Sequence, residues 1–129
     1  MRVPAAFITL MLILPILILN HTLTAFAAPT IEQRQALADA YQCSLAFKIK
    51  GQRSGDQEAK EKGEQLELQI RRAYKTAGAD ENEVNMAMNR YAALVGEFPN
   101  ERIDKTYESC KPDIANLYWK ASSIADGGK

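Results

Sequence analysis

From Thr30 onward, apolar residues recur at three- and four-residue steps, and each run closes on glycine or proline. The pattern predicts four amphipathic helices. The first opens at Thr30, which has capping-box spacing with Gln33. Ala36, Ala40, Cys43 and Phe47 form its inner series, with Leu37, Tyr41, Ser44, Leu45 and Ile49 beside them. Only Gln35, Asp39, Gln42 and Ala46 are left for water, so this helix is expected to be the most enclosed. Gly51-Gln52-Arg53-Ser54-Gly55 is expected to break it.

The second helix starts near Asp56, a good cap residue, and its inner stripe is Ala59, Gly63, Leu66, Ile70, Ala73 and Ala77. The small residues on this stripe allow a neighbour to approach closely. Glu58–Lys62 and Glu67–Arg71 stand at i, i+4 on a solvated face, and Gly78 is a natural stop. The third helix begins at Asp80. Its stripe is Val84, Met88, Tyr91, Val95 and Phe98, flanked by Ala87 and Leu94, and Pro99 ends it. Asp80-Glu81-Asn82-Glu83 gathers oxygens, but a calcium loop needs glycine at its sixth position, where Asn85 stands. These acids fit a helix amino end instead.

The fourth helix runs from about Glu101 along Ile103, Tyr107, Cys110, Ile114, Leu117 and Ala121. The stripe crosses Pro112 in register. That predicts one helix kinked at Pro112; a break at Lys111, with Pro112 opening a new helix, is the alternative. These four elements suit an all-α, up-down-up-down four-helix bundle. In that topology the first and fourth helices are neighbours, with Cys43 and Cys110 at matching heights. A structural disulfide is therefore expected, in preference to two buried thiols or a reactive one.

Before Thr30 the pattern changes. Arg2 precedes an apolar run from Val3 to Leu19, and the stretch closes on Ala25-Phe26-Ala27. A positive start, an apolar middle and an A-x-A ending are the parts of a secretory leader. The reading is a cleaved signal peptide over 1–27, cut after Ala27, then one helical domain over 28–125 and a frayed tail over 126–129. An uncleaved anchor is the alternative, though Asn20 and His21 stop the apolar run near the lower limit for spanning a bilayer. Export, to a periplasm or the outside, agrees with a disulfide.

Composition narrows the chemistry. Sixteen basic and sixteen acidic residues balance, which argues against a nucleic-acid grip built on phosphate neutralisation. The only histidine is His21, inside the leader. The chain after Ala27 therefore has no histidine for a triad, a Cys–His pair, a metal or haem. No C-x-x-C and no phosphate-binding glycine loop occur. Ser44–Lys48 and Lys105–Ser109 sit one helical turn apart, but mid-helix amides offer no oxyanion donors. The expectation is a non-enzymatic protein with no cofactor and no metal. Membrane contact is expected only through an uncleaved leader, and the sequence sets no oligomeric state.

Trp119 stands out. On an ideal helix it points away from the inner stripe, beside Glu108, Pro112, Ala115 and Asn116. Tryptophan is enriched at binding hot spots. Trp119, Pro112 and Glu108 are accordingly the candidate partner-binding residues. In the alternative, the kink at Pro112 turns the last turns inward, or the amino terminus covers the ring. Leu68 and Met86 also point outward, as isolated apolar residues commonly do.

The arrangement resembles the broad class of small exported helical proteins with one disulfide, which includes acid-stress chaperones and immunity proteins against secreted toxins. No motif carries over residue by residue. Three functions are expected in order: a module that binds another exported protein, as inhibitor, immunity factor or secretion accessory protein; a stress chaperone of the holdase type; and a small-molecule carrier with a pocket near Gly63 and Ala73.

Overall fold

The computed structural model describes residues 29–127, which fold as helices α1 (Ile31–Ser54), α2 (Gln57–Thr76), α3 (Glu81–Gly96), α4 (Asn100–Cys110) and α5 (Ile114–Ala125). A single 3-10 turn, Lys111–Asp113, joins α4 to α5. The expected leader and its cut after Ala27 lie outside the described residues. Among the described residues no helix is long and apolar enough to cross a membrane.

The helix starts follow the sequence. Thr30 and Gln33 cap α1 reciprocally, each side chain accepting from the other's backbone N–H at 3.0 Å. Asp56 and Asp80 accept from Ala59 and Glu83 to cap α2 and α3. The expected stripes are inside. Leu37, Leu66, Ile70, Ala73 and Ile103 are almost fully buried and form one core with Tyr41, Leu45, Met88, Val95 and Ala121. The Tyr41 hydroxyl donates to the Met88 carbonyl at 3.1 Å, and burial first, then the nearby Glu67, pushes its pKa up to about 12. The hydroxyl therefore stays a donor at neutral pH.

Cys43 and Cys110 are joined, with Cα atoms 5.6 Å apart across 67 positions. Cys110 packs with Phe47 and Ala59 in a second small cluster. A disulfide points to a compartment outside the reducing cytoplasm.

Three expectations are corrected. Gly51 does not break α1; the helix runs on to Ser54 and stops at Gly55, whose φ of 75° is the left-handed cap conformation. Gly51 is needed for closeness: a Cβ there would lie 2.6 Å from the Lys60 nitrogen at the start of α2. Ala46 is buried, not solvated. It falls on the helical line of Cys43, Lys50 and Arg53, which meet Cys110, Asp104 and Asn100 of α4. Leu94 and Ala87, beside the covered stripe of α3, are exposed. The reason is that α3 touches α1 and α2 at few points, so only a narrow line of it is covered.

At Pro112 a 3-10 turn separates α4 from α5. Without an N–H, Pro112 cannot continue the α ladder, and hydrogen bonding tightens to 3-10 there. The backbone stays right-handed through Cys110 and Asp113, so the apolar register survives into α5.

Arg53 ties the carboxyl end of α3 to α1. Its guanidinium donates to the carbonyls of Gly96 and Phe98, both at 3.0 Å, and to Asn100 Oδ1 at 2.8 Å. A cation on terminal helix carbonyls is favourable, and these contacts are exposed, so Arg53→Ala is expected to cost about 1 kcal/mol. Urea unfolding reads that loss, and hydrogen exchange should quicken in the last turn of α3 before anywhere else.

Candidate functional site

Trp119 lies on α5, beyond the 3-10 turn, and is 68% exposed. The turns that carry it are not rotated inward. Its ring meets Tyr118 edge-on, with centroids 5.6 Å apart and planes at 84°. Tyr118 is half-buried, and its hydroxyl accepts from Gln69 Nε2 at 3.5 Å. The exposed indole is thus backed by a ring anchored to α2.

α2 and α5 pack extensively, and between them runs an open groove of about 290 Å³. Leu66 and Ile114 line it with Ala115, Tyr118 and Trp119, and Lys62 and Gln65 supply its polar side. Glu58 accepts from Lys62 at 2.8 Å, and that hydrogen bond first, then its charge, holds the ammonium above the ordinary lysine value. An apolar wall with a charged, solvated rim is the make-up of an interface hot spot. The groove can hold an apolar side chain. Its lining offers no carboxylate, thiol or serine for proton or group transfer.

The other expected site residues stand apart from this groove. Glu108 is exposed and pairs with Lys111 at 3.4 Å, while the Lys111 ammonium lies over the Tyr107 ring at 5.4 Å. Pro112 is exposed within the 3-10 turn. Neither lines the groove. Trp119 is grouped instead with Lys62, Gln65 and Leu66, which the sequence reading did not connect to it. The sequence offered one usable signal, the small stripe of α2, since Gly63 lets α1 lie close on that helix.

Ser44 and Lys48 each face another partner. The Ser44 hydroxyl is fully buried and donates to the Gly63 carbonyl at 2.7 Å, while Lys48 pairs with Glu67 at 3.0 Å. Ser109 and Lys105 are exposed on α4. Leu68 and Met86 are 57% and 56% exposed, as their helical positions required. The space expected near Gly63 and Ala73 is filled: Ala73 is fully buried, and a Cβ on Gly63 would meet Ser44 and Lys48 at 2.7 Å.

Comparison with family models, with curated proteins and with solved structures yields no match to this chain.

Proposed function

We propose that the protein is a small exported, non-enzymatic interaction module that holds another exported protein at the Trp119 groove. It would serve as an inhibitor, an immunity factor or a secretion accessory protein, in a periplasm or outside the cell. The observation that carries this reading is a lone tryptophan held 68% exposed on a helix whose opposite side is packed. Its aromatic backing and the Lys62–Glu58 rim support it, since solvent-exposed indole on a fixed scaffold lowers the entropic cost of association.

The same reading takes the helices as an up-down-up-down bundle bent at Pro112. Supporting pairs are Ser44 with Gly63 for the first and second helices, Arg71 with Asn85 for the second and third, and Lys50 with Asp104 for the first and fourth. The leader ending at Ala27 and the disulfide support export.

The test is a crosslinked capture by the full chain from the exported fraction of its native cells, with a Trp119→Ala chain beside it. One dominant protein should be retained by the wild type and lost with the variant. The variant's unfolding free energy should stay within about 0.5 kcal/mol, because the ring is at the surface. The same protein retained by both chains would overturn the groove as the binding site. Many unrelated proteins held equally by both would favour a holdase, a reading that the thin packing of α3 and the exposed Met86 and Leu94 make reasonable.

A further inference from the structure

Because α3 meets α1 along a narrow line, a cleft of about 350 Å³ stays open between them, away from the groove of Trp119. Its walls are aromatic and apolar: Tyr41 from α1, Tyr74 from α2, and Ala87, Met88 and Tyr91 from α3. The Tyr41 and Tyr91 rings stand 5.9 Å apart at 41°, forming a corner, and the hydrogen bond from Tyr41 to Met88 fixes one side of it. Such a volume lies at the small end of ligand sites.

The charge in this cleft is one-sided. Among its lining residues Asp39 alone carries a formal charge. Gln35 Nε2 donates to Asp39 Oδ1 at 3.0 Å, which orients the carboxylate without neutralising it. Asp39 is exposed and, like most of the carboxylates, enters no ion pair among the described residues. Of the basic residues around it, Arg34 lines the adjoining cleft together with Asp80 and Glu83, while Arg71, whose charge reaches Tyr41, faces Glu67 at 3.6 Å. Tyrosine faces attract cations and disfavour anions, and a carboxylate does the same. A neutral apolar molecule would use the walls alone, whereas a cation would also gain the attraction of Asp39 at the exposed rim.

We propose that this cleft binds a small amphipathic cation, an ammonium carried on an apolar or aromatic body. The body lies against Tyr74, Ala87, Met88 and Tyr91, and the ammonium sits at Asp39. This site is independent of the proposed partner groove, and either can fail without the other.

Three probes of one size test it on the oxidised full chain at neutral pH: 2-phenylethylammonium, 2-phenylethanol and phenylacetate. Binding is followed by calorimetry and by the nuclear magnetic resonance of the tyrosine rings. The ammonium should bind about fivefold more tightly than the alcohol, with phenylacetate weakest. Shifts should centre on Tyr41, Tyr74 and Tyr91. Asp39→Asn should bring the ammonium to the alcohol's affinity and leave the alcohol unchanged. Ala87→Leu, which fills the cleft from an exposed position, should weaken the ammonium and the alcohol together. Equal binding of ammonium and alcohol to the wild type would overturn the proposal. So would an ammonium preference that survives Asp39→Asn, shifts centred on Trp119, or no binding of any probe.

Discussion

Reduction of the Cys43–Cys110 bond will lower the melting temperature by roughly 15–30 °C. The bond closes a loop of 67 positions, and loop-closure entropy for that length is worth about 4 kcal/mol at 25 °C. For a domain of about 100 residues, each kcal/mol moves the midpoint by about 4–8 °C. The position of the bridge adds to the effect. It fastens α1 to the last residue of α4, just before the α hydrogen bonding gives way at Pro112. Cys110 is also buried between Phe47 and Ala59, so the loosened end would expose apolar surface. Circular dichroism melts with and without reductant measure the shift, and a Cys43→Ser/Cys110→Ser chain should match the reduced wild type. A reduced protein that melts within a few degrees of the oxidised one would mean that packing alone closes α4 onto α1.

Pairing of these cysteines was legible because helical period and topology put them at one height. The same period located the buried stripes: Leu66, Ile70, Ile103 and Ala121 are inside because each recurs on one face. Period does not say how many neighbours a helix has. Ala46 was misplaced because the last turns of α1 are covered by α4 as well as α2, and Leu94 because α3 is covered only along a narrow line. Gly51 and Gly55 look alike as letters. They differ in role because one sits under the start of α2 and the other turns left-handed. For the candidate site, Trp119's outward direction could be read from α5 alone. Its groove could not, since Lys62, Gln65 and Leu66 come from a helix that the linear order does not place beside α5. The tyrosine cleft was hidden for the same reason. It exists where α3 fails to close against α1, and a pattern of apolar letters records which faces want burial, not how completely they obtain it.

Glycine substitutions of opposite sign will separate close contact from chain stiffness. Gly63→Ala is expected to destabilise the protein by about 2 kcal/mol, and Gly96→Ala to stabilise it by about 0.5 kcal/mol. Both glycines lie in helices, where alanine is favoured by up to about 1 kcal/mol through lower backbone entropy in the unfolded chain. At Gly96, the last residue of α3, nothing lies within 4 Å of an added Cβ, so part of that gain is kept. At Gly63 the added atom would stand 2.7 Å from the Ser44 carbonyl oxygen and 2.8 Å from the Lys48 nitrogen. Those are backbone atoms of α1 and cannot rotate aside. α1 and α2 must separate instead, which strains the Ser44–Gly63 hydrogen bond and loosens Leu66 and Ile70 against Tyr41 and Leu45. Overpacking of this kind costs about 1–3 kcal/mol and here outweighs the entropic gain. Urea midpoints at an unchanged slope measure both effects. A Gly63→Ala chain as stable as the wild type would mean that α1 and α2 do not meet as closely as their residues allow.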